Sequence, residues 1–310
     1  MIRIVSEIHF DSPPVMLAAW PGMGNVGLIA MDYLRRKLHA RPFAEIDMTP
    51  FFNPDSIVVK QGLAQLPKMP TSVFHYVHNP NLIIFESDAQ ASGHDAILIT
   101  KTILDAAQQY HVKRIYTAAA FTQSISYRSP SEVLVATTSK SLLAEMEGEQ
   151  ITPMPDGYIA GLNGLVLGVA DTRSIPAACF LGTLPSYATN ITYPKASLEI
   201  IRVLSRLLST EVETAEIEDA VAQMDNQLAR VEDRIREIFP AMEEQDEQIK
   251  ELGQDKVPDH VMERIEQLFQ IVEKDHSRAP ELKSELDRWN LYELYENRFL
   301  DIFDEDKNKD

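Results

Sequence analysis

Residues 15–38 read VMLAAWPGMGNVGLIAMDYLRRKL. Residues 15–20 are a short apolar run, and Pro21 with Gly22, Gly24 and Gly27 closes it. Leu28, Ile29, Met31, Tyr33, Leu34 and Leu38 then recur at helical spacing, so the stretch predicts strand, turn and helix in succession. The alternation continues downstream. Apolar strand candidates lie at 56–60, 81–86, 114–120, 157–160 and 177–181, and helical patterns at 97–110, 162–173 and 195–208 separate several of them. This rhythm predicts an α/β fold with a mainly parallel sheet.

Gly22, Gly24 and Gly27 spell G-x-G-x-x-G after a strand and at the opening of a helix, and Asp47 stands 20 residues beyond Gly27. Glycines there permit a tight turn, and free N–H groups with the helix dipole favour an anion. Binding of a small anion fits this loop better than a whole dinucleotide, because Asp47 sits in the turn-like sequence IDMTP. A second glycine loop, Gly161-Leu162-Asn163-Gly164, follows another apolar run and opens a helix in which Gly168 offers close packing. Ligands of open α/β sheets sit beyond the carboxyl ends of the strands, so the two loops and the segment after Ala120 are expected to line one crevice. Its candidate ligand-pocket residues are Gly22, Gly24, Asn25, Gly27, Thr122, Arg128, Gly161, Asn163 and Gly164. The same residues are also what ordinary turns around a packed sheet require, and the sequence leaves both readings open.

No catalytic set emerges. His75 and His78 have no carboxylate or cysteine at ligand spacing, so no metal site is expected. Cys179 lies within AACFL and reads as a buried strand thiol. Ser124, Ser126 and Ser186 lack the G-x-S-x-G elbow. Glu86, Asp88, His94 and Asp95 end a strand, where caps and turn formers are common. There is no G-x-x-x-x-G-K-[ST] motif, and no cofactor is expected.

The chain has 310 residues and a net charge of −18. Residues 1–209 hold 17 Asp+Glu against 16 Lys+Arg, whereas the remaining 101 hold 30 against 13. The first part also carries 11 of 12 glycines and 15 of 18 prolines, so two architectures share the chain. The acid excess and the lack of a basic stripe argue against nucleic acid as a partner. One cysteine and no long apolar run or leader point to the cytoplasm, away from membranes, which makes the sequon at Asn190 accidental. Ile217, Val221, Met224, Leu228, Val231, Ile235 and Ile238 follow an a/d heptad seam. Met262, Ile265, Phe269 and Val272 repeat it, and Leu282, Leu286, Trp289 and Tyr292 begin a third stripe. The expected organisation is an α/β core over 1–209, an acidic helical, coiled-coil-like extension over 210–303 and a polar tail over 304–310. The seam suits equally a hairpin packed on its own core and an arm for pairing with another chain.

WPGMGNVGLIAMDYL, then GLNGLVLGVADTRSIPAACFLGTLPSY and YPKAS, together resemble the proteasome assembly chaperone 2 family over residues 15–208. The matching positions are Pro21, Gly22, Gly24, Val26 and Gly27 in the first loop and Gly161, Asn163, Gly164 and Gly168 in the second. The resemblance implies a three-layer α/β/α fold similar to purine nucleoside phosphorylases, homo- or hetero-oligomers, and chaperoning of proteasome subunits without catalysis. Relatives have also carried a ligase label of the ATP-grasp type, which these motifs do not support. Archaeal members that dock on proteasome rings use a C-terminal hydrophobic-Tyr-any tripeptide, and this sequence ends Asn308-Lys309-Asp310, so docking by that route is not expected. The resulting expectation is a non-enzymatic assembly-chaperone-like or scaffold protein that oligomerises and binds protein partners. The alternative is an enzyme or sensor holding a nucleoside-like or phosphorylated small molecule at the two glycine loops.

Overall fold

The computed structural model describes residues 2–52, 54, 56–238, 259–272, 278–288 and 295. They form two compact units, Met1–Val231 and Glu232–Asp310. In chain order the first unit contains β1 (Ile2–Ile4), β2 (Val15–Ala19), α1 (Val26–Lys37), β3 (Arg41–Ile46), β4 (Val58–Lys60), β5 (Leu63–Gln65), β6 (Ser72–His78), β7 (Asn81–Ser87), α2 (Gly93–Gln109), β8 (Arg114–Gln123), β9 (Val133–Thr137), α3 (Lys140–Gly148), β10 (Thr152–Pro153), α4 (Leu162–Thr172), β11 (Ala177–Pro185) and α5 (Pro194–Leu207). Helix α6 (Ala215–Ile238) starts in it, and α7 (Asp259–Val272) and α8 (Ala279–Arg288) follow.

Nine strands make one sheet in the order β1-β3-β6-β7-β2-β8-β11-β9-β10. Strand β2 sits in the middle and is buried throughout. Period-two alternation sends Val15, Leu17 and Ala19 to one face, where α1 contributes Ala30, Met31 and Leu34 and α5 contributes Ile200, Ile201 and Leu204. Met16, Ala18 and Trp20 go to the other face, against Ile99, Ile103 and Leu104 of α2 and Val166 and Ala170 of α4. The sheet is therefore the middle of three layers.

The sheet is mixed, which corrects the expectation of a mainly parallel one. Only β7-β2-β8-β11 and the pair β9-β10 run parallel, while β1-β3, β3-β6, β6-β7 and β9-β11 are antiparallel. Strand β6 reaches β7 through only Asn79 and Pro80, a link too short for a crossover, so the pair must be antiparallel. Residues 157–160, expected as a strand, carry no regular structure. Residues 58–60 form a strand, but in a separate two-stranded sheet with β5.

Helix α6 packs on the core of its own chain over its first turns. Ile217 and Met224 are buried there and Val221 and Leu228 partly so. Acids beyond residue 209 meet bases of the α/β layers: Glu216 pairs with Arg36 at 2.9 Å, Glu213 with Lys37 at 2.8 Å and Asp225 with Lys195 at 2.9 Å. The compact unit thus extends past the composition boundary at 209, into α6. In the second unit, Val261, Ile265, Leu268, Phe269 and Val272 of α7 bury against Ala279, Leu282 and Leu286. The later stripe positions Trp289 and Tyr292, the stretch 239–258 and the tail lie outside the described residues. Among the described residues no helix is long and apolar enough to cross a membrane.

Candidate functional site: the junction of the glycine loops

The two glycine loops meet. The Trp20 N–H donates to Asn163 Oδ1 at 3.1 Å, and Asn163 Nδ2 donates back to the Trp20 carbonyl at 3.3 Å. The buried Asn163 side chain thereby continues β2 by one peptide-like rung. Thr117 Oγ1 of β8 donates to the Asn163 carbonyl at 2.7 Å, fixing the start of α4 over the sheet. Gln90, just beyond β7, ties both loops again: Nε2 donates to the Pro21 carbonyl at 2.6 Å, and Oε1 accepts from the Leu162 N–H at 3.2 Å.

Gly27 and Gly164 are demanded by space. A Cβ on Gly27 would stand 2.1 Å from the Ala118 carbonyl oxygen, so α1 lies on β8 at backbone distance. A Cβ on Gly164 would stand 2.3 Å from the Ile159 carbonyl oxygen. Gly24 instead has a left-handed backbone, φ +59°. Asn25 is left-handed too, a conformation its side-chain type tolerates. Gly22 leaves ordinary room, and Gly161 caps α4 beside Gln90. Gly168 is exposed with nothing within 4 Å of a Cβ, which corrects the expected close packing there.

Four of the loop N–H groups that could cradle an anion are already used. Gly24 donates to the Thr189 carbonyl at 2.9 Å and Asn25 to the Gly22 carbonyl at 2.9 Å, while those of Trp20 and Leu162 serve the stitch. Thr122 and Arg128 adjoin this junction through β11, whose Leu184 would stand 3.2 Å from a Cβ on Gly24, and through the loop at 186–193. Thr122 pairs with Leu184 in the sheet. Arg128 is exposed, with Nε donating to Tyr127 Oη at 3.2 Å and its guanidinium 5.3 Å from the Tyr127 ring. The Tyr127 N–H donates to Tyr187 Oη at 2.8 Å, and Lys195 Nζ donates to the Tyr127 carbonyl. The 186–193 loop in turn holds Gly24, through Thr189 and through the Tyr193 N–H on the Gly24 carbonyl at 2.9 Å. Gln90, Thr117 and Tyr187 were missed by the sequence reading, since a lone Gln or Thr in a polar or strand segment carries no pattern.

The strand-end acids do not gather. Asp88 accepts from the Thr71 N–H at 2.7 Å and its hydroxyl at 2.9 Å, and His94 is exposed. Glu86 faces α1, where Oε2 accepts from Arg35 Nε at 2.7 Å, and Arg35 also pairs with Asp32. Burial outweighs the Arg35 charge and pushes the Glu86 carboxyl up to about 7. His75 on β6 is pushed down to about 4, by burial first and the Arg35 charge second. Glu86 Oε1 and His75 Nδ1 have no hydrogen-bond partner among the described residues. Burial pushes the Cys179 thiol up to about 12, so it is no thiolate nucleophile at neutral pH. Among the described residues no group of three His, Cys, Asp or Glu side chains is placed to hold a metal ion. A groove of about 950 Å³ lies between the end of α5 and the start of α6, but its Arg202 is paired with Glu218 at 2.9 Å and its Arg206 with Glu149 at 3.3 Å.

The exposed part of this loop end mixes polar residues, among them Asn25, Arg128, Asp156 and Asn190, with large apolar and aromatic ones. Met23, Tyr158, Tyr187 and Ile191 are exposed, on the first glycine loop, ahead of the second and on the 186–193 loop.

Among known proteins the chain is 25% identical over 248 residues to an uncharacterised protein of Methanocaldococcus jannaschii, covering 78% of this chain and 93% of that one. Its fold is shared with PbaB of Pyrococcus furiosus, described as an archaeal proteasome activator, at a TM-score of 0.64 and 22% identity over 75% of this chain and 98% of that one. PbaA of the same organism, described as an archaeal homolog of proteasome-assembly chaperone, has a TM-score of 0.60 at 20% identity, covering 80% of this chain and 98% of its own. A PAC2 family protein of Streptomyces avermitilis has a TM-score of 0.60 at 18% identity, with 70% and 95% covered. Residues 16–232 match the PAC2 family, a span that ends one residue past the first compact unit. By that match, which takes in both glycine loops and the start of α6, the chain belongs to the PAC2 family.

Proposed function

We propose that this protein is a non-enzymatic, assembly-chaperone-like scaffold that oligomerises and binds protein partners in the cytoplasm. The observation that carries this reading is the chemistry of the loop end. Where open α/β sheets hold small ligands, the amides of Trp20, Leu162 and Gly24 here are spent on Asn163, Gln90 and Thr189, and Met23, Tyr158, Tyr187 and Ile191 stand exposed around them. Exposed Tyr and Met side chains are the kind that carry protein–protein binding energy. The names borne by the P. furiosus relatives, a proteasome activator and a homolog of an assembly chaperone, point to proteasome subunits as the partner class to try first. The acidic helices beyond Val231 supply a second surface for such a partner.

The test is native mass spectrometry of the full chain mixed with proteasome α-type subunits from the same organism. The expected result is a complex of fixed stoichiometry, weakened at least tenfold by Tyr158→Ala, whose side chain is fully exposed. A protein that ignores all such subunits but is stabilised by a metabolite, with the effect lost in Asn25→Ala, overturns the proposal in favour of the ligand reading.

A further inference from the structure

Aspartate or asparagine followed by glycine occurs twice in the chain, at Asp156-Gly157 and at Asn163-Gly164. Such pairs share an intrinsic reaction. The glycine amide nitrogen attacks the side-chain carbonyl carbon of the residue before it, and glycine permits the approach because it has no Cβ and a wide choice of backbone angles. The reaction needs a backbone free to turn, an unbonded N–H and a side chain that nothing holds. The fold treats the two pairs oppositely.

Asn163 is withheld. It is 4% exposed, it stands in the first turn of α4, and both ends of its amide are bound to Trp20. Gly164 is confined by the Ile159 carbonyl oxygen, 2.3 Å from where a Cβ would stand. Asp156 and Gly157, in contrast, are exposed and lie outside any helix or strand, with residue 156 at a bend. Among the described residues, neither the Asp156 carboxylate nor the Gly157 N–H has a hydrogen-bond or ion-pair partner. Asp47 and Asp88, also in connecting segments, are held by Thr49 and Thr71. All three requirements are thus met at Asp156-Gly157.

We propose that Asp156 is a self-modification site, converted to isoaspartate through a cyclic imide. The bond from the Gly157 nitrogen to Asp156 Cγ forms, the Cγ–O bond of the protonated carboxyl breaks, and the hydroxyl leaves with the amide proton as water. Water then adds to one of the two imide carbonyls. Opening at Cγ restores aspartate, whereas opening at the main-chain carbonyl leaves the chain running through Cβ and Cγ, with the carboxylate on Cα. No oxidant or reductant enters, and the mass of the product equals that of the starting chain. The loop cannot pass the extra backbone carbon to its ends. The Met154 N–H donates to the Val135 carbonyl at 2.8 Å, and Ile159 packs on Gly164. The added length falls on residues 155–158 and displaces the fully exposed Tyr158. The modification stands by itself, and its effect on partner binding rests on the function proposed above.

The full chain is aged in warm, mildly acidic buffer. Isoaspartate is read as the acceptor of a labelled methyl group from S-adenosylmethionine and an isoaspartyl methyltransferase, then located by peptide mapping. The expected yield at Asp156 is at least tenfold that at Asp171, an exposed aspartate within α4. Asn163 should stay intact until urea unfolds the chain, and its deamidation at the same rate in the folded chain overturns its protection. Gly157→Ala should cut the yield at Asp156 at least tenfold. Its Cβ would meet Met154 Cε, the end of a flexible side chain, at 3.2 Å and the Pro155 oxygen at 3.8 Å, so the fold is kept. A yield at Asp156 no higher than at Asp171, or unchanged in Gly157→Ala, overturns the proposal. Fresh and modified chains are then compared for binding to proteasome α-type subunits, with weaker binding expected after modification. Equal binding overturns the effect on recognition and leaves the modification standing, while a fresh chain that binds no subunit overturns the proposed function alone.

Discussion

Replacing Glu86 by Gln keeps the side chain's size and removes its ionisation. Its carboxyl has an ordinary value of 4.5 and is pushed up to about 7 in the folded chain by burial, against the pull of Arg35. The charges facing it are Asp32, Arg35 and Arg36 of α1 and the titratable His75 of β6. A carboxyl that holds its proton more tightly when folded contributes stability below the unfolded value and loses it as pH rises through the folded value. The difference in unfolding free energy, wild type minus Glu86→Gln, is therefore expected to fall by ~3 kcal/mol between pH 4 and pH 8, at roughly 1.4 kcal/mol per pKa unit. Urea unfolding followed by fluorescence measures it. In a Trp289→Phe background the buried Trp20 reports the first unit alone. A difference that stays constant from pH 4 to pH 8 refutes the raised value, and one that grows with pH means the Arg35 pair, not burial, sets the ionisation of Glu86.

His75→Gln should act with the opposite sign, because the folded value of about 4 lies below the ordinary 6.5. The wild-type advantage over this variant is present above pH 6.5 and lost as pH falls toward 4, by ~1 kcal/mol after allowing for partial exposure, in the same urea assay. Gly27→Ala places a methyl 2.1 Å from the Ala118 oxygen and forces α1 off β8, which should lower stability by about 3 kcal/mol or more in urea. Asn163→Leu leaves the buried Trp20 N–H and carbonyl without the side-chain amide, with an expected loss of about 2–4 kcal/mol by thermal or urea unfolding. Truncation after residue 209 strips Ile217 and Met224 from the core and should destabilise it, whereas truncation after Val231 should leave the unfolding of the first unit unchanged by calorimetry.

The centre of the fold was legible because its residues obey strong local rules. VMLAAW is buried on both faces and reads as one apolar run, and the helices at 97–110, 162–173 and 195–208 match α2, α4 and α5 within a few residues. The edges were not. Strand β6 mixes His75, Tyr76 and His78 with apolar residues, so its composition reads as a histidine pair, although the Phe74 ring lies 4.7 Å from that of Phe85 in the core, tilted by 53°. Residues 157–160 looked like a strand by composition, yet they form the loop that supports Gly164. At the candidate site, the meeting of the two glycine loops followed from the rule for open sheets. What each polar group does there depends on partners far away in sequence, such as Gln90 and Thr117, and no spacing announces them.

The Asn163 rung has a kinetic consequence. It joins residues 143 positions apart, so closing that loop carries a large entropy cost that favours its forming late, after other contacts have brought the loops together. The expectation is that such a late link is absent from the folding transition state, so that its strength sets how fast the native chain opens and hardly how fast it forms. In Asn163→Leu the loss should appear almost wholly as faster unfolding, with the refolding limb unmoved. The junction that binds the two glycine loops is, in these terms, a latch on the lifetime of the folded state.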